Sequence, residues 1–354
     1  MAATQKGMIK VLVVDDSPVM CKALSSILNS DPQIIVAGVA HSGKEAVDLV
    51  PRLKPDIITM DMHMPEMDGF EATRQIMAYY PTPILIVSTS VFKLGMEKVF
   101  EAISCGALDV LEKGKIEFDT DKKSGQAFIE KVKFLSNIKV MHHPLAKLGK
   151  EKRIEKVLEV PSRKVLDRIV AIAVSTGGPQ ILQQILKKLP KEFPCGIVIV
   201  QHISEGFLEG LVEWLNSSCS IKVKAAQDKE EIQSAVAYIA PCGFQMRVDE
   251  GKRIRLSDES SYDGHKPSGS ILLESVARSY KEGAIGVILS GMGSDGAMGI
   301  KAIKEMGGVT IAQNEETCVV FGMPKVAIEM GVVDEILPIE KIPEAIAAKL
   351  RRQI

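Results

Sequence analysis

Ile169-Val170-Ala171-Ile172-Ala173-Val174-Ser175-Thr176-Gly177-Gly178-Pro179 is the stretch whose reading decides the second half of the chain. Its first six residues are apolar and partly β-branched, as in a strand buried on both faces. The run stops at Ser175, where two glycines and a proline force a turn. Behind it, Ile181, Leu182, Ile185, Leu186 and Leu189 recur at helical spacing. A serine between a buried strand and a helix sits on the rim where open α/β sheets place their sites, with helix N–H groups near enough to stabilise an oxyanion. Taken alone, the same serine also fits a helix N-cap.

The surroundings bound the choice. At 354 residues and 46% hydrophobic, the chain can build two domains, each with its own core. A formal net charge of -1 gives no reason to expect nucleic acid or an anionic membrane surface. No apolar run approaches the roughly 18 residues of a membrane span, and a strand-like segment begins at Ile9 with no signal-peptide core before it. Six scattered cysteines form no CxxC pair, which favours reduced thiols and a cytoplasmic location.

Towards the N-terminus, strand-like runs at Ile9–Val14, Ile34–Val39, Pro55–Met60, Pro83–Val87 and Ala107–Leu111 alternate with helical segments, predicting a doubly wound parallel sheet. Asp15, Asp16, Asp61, Ser88 and Lys113 all fall just past strand ends, so they should meet above one edge of that sheet. Three clustered carboxylates call for a hard cation such as Mg²⁺, and a lysine and a hydroxyl beside them suit a phosphoryl group carried on a carboxylate. With Met64-Pro65 and Asp68-Gly69 following Asp61, residues 9 to about 135 resemble the receiver domain of two-component response regulators. The resemblance implies phosphorylation of Asp61 by a histidine kinase, Mg²⁺ held by Asp15, Asp16 and Asp61, and Ser88 and Lys113 on the phosphoryl oxygens. Gly114 departs from the proline common after the receiver lysine.

Residues 139–167 lose apolar periodicity and carry dense mixed charge, and His142-His143-Pro144 ends any helix entering them. This divides the chain into a domain 1–138, a linker 139–167 and a domain 168–354. Within the linker, 147–158 fits a solvated helix or a tether.

Beyond the linker, Gly196–Val200 is another buried strand leading to Gln201-His202, and Ile285–Leu289 leads into Ser290-Gly291-Met292-Gly293-Ser294-Asp295-Gly296. That loop is a literal G-x-G-x-x-G before a helix, so a nicotinamide-dependent enzyme is a real rival. Asp295 counts against it, because a carboxylate at that helix start would repel a pyrophosphate. The same carboxylate suits the orientation of a histidine, giving Ser175, His202 and Asp295 as nucleophile, general base and orienter. A receiver joined to a DNA-binding output is a second rival, but no compact basic helix-turn-helix unit is present.

With Ala173–Pro179, Val200–His202, Gly291–Ala297, Cys318–Pro324 and His265-Lys266-Pro267-Ser268, the whole chain resembles the chemotaxis protein-glutamate methylesterases. The fold implied is an α/β receiver followed by a parallel-sheet, α/β hydrolase-like catalytic domain. The activity implied is hydrolysis of glutamate methyl esters on chemoreceptors, with deamidation of particular glutamines and no cofactor for the ester reaction. Met292 N–H is the expected oxyanion donor and Thr176 a residue orienting His202. Cys242 and Gln245 depart from the family pattern and put the shape of their loops in question.

Overall fold

The computed structural model describes residues 7–88, 93–116, 122–138, 140, 158 and 167–351. The chain gathers into two compact units, Met1–Lys152 and Arg153–Ile354. Most of 139–167, including the helix-or-tether segment up to 157, lies outside the described residues.

The first unit is a five-stranded sheet of β1 (Ile9–Val14), β2 (Ile34–Ala40), β3 (Ile57–Met60), β4 (Ile84–Ser88) and β5 (Asp109–Glu112). Their order is β2-β1-β3-β4-β5 and every pairing is parallel. Helices begin where capping side chains stop the preceding loops: Ser17, Ser42 and Asp68 accept from the amides of Met20, Glu45 and Glu71. β5 starts two residues later than its apolar run suggests. Gly106 adopts a φ of 116° and Ala107 N–H bonds back to Ala102 O, so these residues close the preceding helix.

The second unit is a seven-stranded parallel sheet in the order β14-β13-β12-β6-β7-β9-β8. Its strands are β6 (Ile169–Val174), β7 (Gly196–Gln201), β8 (Lys222–Ala225), β9 (Val236–Ile239), β12 (Ala284–Ile288), β13 (Val309–Gln313) and β14 (Glu335–Leu337). A separate antiparallel hairpin joins β10 (Gln245–Val248) to β11 (Ile254–Ser257). Every residue of β6 is fully buried, as its unbroken apolar run requires. The chain winds outward from β6 to one side, then returns to β12 and proceeds to the other. The direction therefore switches between β6 and β12, where such sheets open a crevice at their carboxyl ends.

Gln201, at the end of β7, ties this rim together. Its Nε2 donates to Ser175 O and His202 O, both at 2.9 Å. The amide fits only because residue 178 is glycine: a Cβ there would lie 1.8 Å from Gln201 Oε1. Gly178→Ala should displace this brace and lower the midpoint of thermal unfolding, at a cost of about 1–3 kcal/mol. An unchanged midpoint would mean that Gln201 gives way freely.

Candidate active site

β6 and β7 pair with Val174 opposite Gln201, so Ser175 and His202 each stand one residue beyond neighbouring strand ends. His202 N–H donates to Val174 O at 3.0 Å, which keeps the two chains side by side through this point. On the other flank Ser175 N–H donates to Ser290 O at 2.9 Å, joining β6 to the loop that follows β12. That loop carries Asp295 back over the rim, and Asp295 Oδ2 lies 2.9 Å from His202 Nε2.

Asp295 is buried and fully engaged. Its Oδ1 accepts from Ser268 Oγ (2.7 Å) and Ser270 N–H (3.0 Å), and its Oδ2 also accepts from Gly269 N–H (2.6 Å). The amides belong to the first turn of the helix Gly269–Tyr280, whose dipole favours a negative charge there. Burial alone would push this carboxyl up. The bonds from His202, Ser270 and Ser268, with the charge of His202, overcome it and hold the group well below the usual carboxylate range.

When the imidazole is neutral, an ionised Asp295 takes its proton-bearing nitrogen, so Nε2 donates and the lone pair resides on Nδ1. His202 Nδ1 is buried and has no hydrogen-bond partner among the described residues. Ser175 is half-buried, and among the described residues no hydrogen bond joins its Oγ to His202. The structure thus closes the His202–Asp295 contact and leaves Ser175 at the neighbouring strand end with no bond from its Oγ to His202, a separation often seen before substrate tightens such a site.

The loop Gly291–Gly296 is built for this arrangement rather than for a dinucleotide. Gly296 N–H donates to Ser270 Oγ and Ala297 N–H to Ser294 O, so the helix start has few amides to offer a phosphate. Gly291 bonds to the segment 320–323 through its N–H to Val320 O and through its carbonyl, which accepts from Gly322 and Met323. A Cβ on Gly291 would meet Met323 Sδ at 2.2 Å and Ser175 Cβ at 2.8 Å. Met292 N–H makes no hydrogen bond among the described residues, while Thr176 is buried and its carbonyl accepts from Ser290 Oγ at 2.8 Å.

Gln245 and Cys242 hold their loops in place. Buried Gln245 donates to Ser260 O and His265 O and accepts from Ser268 N–H, and Cys242 Sγ donates to Ile203 O beside His202. The positions missed in the sequence as site residues are Gln245, Ser268, Gly269 and Ser270. Ser268 does carry a readable signal, since it is the N-cap of its helix, accepting from Ile271 N–H.

In the first unit, ligand oxygens of Asp15, Asp16 and Asp61 lie within 4.8 Å of one another. Lys113 Nζ reaches Asp15 Oδ2 at 2.7 Å and Asp61 Oδ1 at 3.0 Å, so Gly114 has not displaced it. Burial pushes the Asp61 carboxyl up against the opposing pull of Lys113. Ser88 Oγ is buried without a hydrogen-bond partner among the described residues. Three hard carboxylate oxygens, with Lys113 the one lysine on them among the described residues, have the donor set that suits a small divalent cation such as Mg²⁺.

Residues 170–346 match the family model described as CheB methylesterase, and residues 11–120 match that of the response regulator receiver domain. The chain belongs to the CheB methylesterase family. A protein-glutamate methylesterase/protein-glutamine glutaminase 1 from Syntrophus aciditrophicus is 46% identical over 341 residues, covering 95% of this chain and 96% of that protein. A protein-glutamate methylesterase/protein-glutamine glutaminase from Halalkalibacterium halodurans is 42% identical, covering 97% and 99%. Among solved structures, the catalytic domain of Thermotoga maritima CheB methylesterase is 42% identical with a TM-score of 0.49, covering 51% of this chain and 97% of that one.

No helix among the described residues of this CheB-family chain is long and apolar enough to cross a membrane. Its Asp295 also predicts an acid dependence of stability. A carboxyl depressed on folding contributes in full above its unfolded pKa of about 3.9 and loses that contribution as pH falls towards its folded value. Asp295→Asn should therefore be less stable than the parent at neutral pH, with the gap narrowing below about pH 4 in denaturant titrations. A gap independent of pH would contradict the assignment of an ionised Asp295.

Proposed function

We propose that this protein is a phosphorylation-activated serine hydrolase. It removes methyl groups from glutamate methyl esters on methyl-accepting chemotaxis receptors and deamidates particular receptor glutamines, resetting receptor sensitivity from the cytoplasm. The single observation that carries the reading is the His202 ring: Nε2 held 2.9 Å from Asp295, Nδ1 left buried and unpartnered at the strand end beside Ser175. The names of the full-length relatives and the receiver-plus-methylesterase domain pair support it.

Ser175 Oγ attacks the ester carbonyl while His202 Nδ1 takes its proton, and ionised Asp295 stabilises the imidazolium. Met292 N–H donates to the oxyanion, and Thr176 helps to set His202. Collapse of the tetrahedral intermediate breaks the bond to the methoxy group, which leaves as methanol with the proton from His202; a glutamine substrate loses ammonia by the same step. Water then attacks the acyl-enzyme with His202 again as base, releasing glutamate and restoring Ser175.

In the receiver, Asp61 is the acceptor for a phosphoryl group from a histidine kinase. Asp15, Asp16 and Asp61 would hold Mg²⁺, which when bound neutralises charge on the transferring phosphoryl oxygens. Ser88 and Lys113 take the remaining oxygens.

Methanol release from methylated receptor membranes, with and without a small-molecule phosphodonor and Mg²⁺, tests both halves. Ser175→Ala should reduce release by about three orders of magnitude or more. Asp61→Asn should keep basal release and lose the stimulation by phosphodonor. Near-parent release by Ser175→Ala would overturn the nucleophile, and equal stimulation of Asp61→Asn would overturn the acceptor.

A further inference from the structure

A second imidazole completes the rim. The ring of His265 lies face to face with that of His202, with centroids 4.2 Å apart and planes 3° from parallel. Its backbone is clamped: His265 N–H donates to Tyr262 O, and its carbonyl accepts from Tyr262 N–H and from Gln245 Nε2. Three residues further on, Ser268 begins the turn whose hydroxyl and amides hold Asp295. One connected segment therefore controls His202 twice, at Nε2 through Asp295 and across one ring face through His265.

The two controls do different work. A single hydrogen bond at Nε2 fixes one point of the ring and leaves it free to tilt about that bond. A flat neighbour on its face removes the tilt and so fixes where Nδ1 points. Burial, helped by the nearness of His202, pushes the His265 pKa down, which favours a neutral covering ring. A neutral π face attracts an imidazolium, whereas a second cation would repel it.

His202, His265 and Asp295 also form a cluster with the composition of a metal site. The stacking argues against that use. Nitrogen lone pairs lie in their ring planes, and two parallel planes send them in directions that do not converge on one ion.

We propose that His265 is a positioning residue for hydrolysis: its ring, stacked on His202, holds the orientation that leaves Nδ1 for Ser175 and stabilises the imidazolium formed there. The proposal rests on the assignment of His202 as the general base. It needs a flat ring at 265 and no nitrogen of that ring.

The test compares His265→Phe with His265→Leu in the full-length protein, using methylated receptor membranes, phosphodonor and Mg²⁺. Both replacements fill the space, but only phenylalanine offers a flat face. His265→Phe should keep kcat within about threefold of the parent, and His265→Leu should lose about 10- to 100-fold in kcat, the scale of a misplaced catalytic group. KM should stay within about twofold for both, because the ring acts on His202 and leaves substrate contacts alone. Rates are read per folded molecule, from circular dichroism and thermal melts of each variant. Equal kcat for the two variants, or a loss confined to KM, would overturn the proposal. Ser175→Ala is run beside them. If it stays active, the hydrolytic reading itself fails; if it is inactive while His265→Leu works like the parent, only the positioning role fails.

Discussion

The contact between His202 Nε2 and Asp295 Oδ2 is the constraint on which the rest of the second unit depends. A buried carboxylate is costly unless its oxygens are satisfied, and here a helix N-terminus and the Ser268 hydroxyl satisfy them before the histidine does. Asp295 is thereby kept ionised and immobile. It can accept only a proton-bearing nitrogen, which sets the tautomer of a neutral His202 and leaves the lone pair on Nδ1. In the familiar serine protease arrangement the aspartate takes Nδ1 instead. The chemistry needs only that one nitrogen be held and the other be left free.

Two sheets in one chain solve the same placement problem. In each, central strands that are mostly apolar and buried give way to polar residues at their carboxyl ends, so chemistry collects on the carboxyl rim. On the first sheet the rim gathers Asp15, Asp61 and Lys113, a charge cluster suited to phosphoryl transfer onto a carboxylate. On the second it gathers a hydroxyl, an imidazole and a carboxylate beside the switch between β6 and β12. The residue types, rather than the architecture, separate a signal input from a hydrolytic reading.

Much of this was legible because strand ends are legible. Ile169–Val174 and Gly196–Gln201 are unbroken apolar runs, and the residues just past them fall on neighbouring strands. Asp295 could be assigned because a carboxylate is the wrong group for the phosphate-binding loop that its glycines imitate. Other features were hidden for physical reasons. β14 has three residues, too few to show a period, and is paired only through β13. His265-Lys266-Pro267-Ser268 was legible as a motif but not as part of the rim, which it reaches through a loop held by Gln245, a buried amide whose three bonds no local pattern announces. Nor does any pattern reveal which imidazole nitrogen meets Asp295, since that depends on ångström-scale placement of two distant loops.

The most direct test of the account is ¹⁵N NMR of the histidine side chains in the unliganded protein, with His202 assigned by its loss in a His202→Gln variant. Neutral His202 is expected to be the Nε2–H tautomer, with Nε2 coupled to its proton and Nδ1 showing the shift of an unprotonated nitrogen. In Asp295→Asn that preference should weaken, because the acceptor fixing the proton on Nε2 is gone. A dominant Nδ1–H tautomer in the parent protein would contradict it, since no lone pair would then face the proton of Ser175.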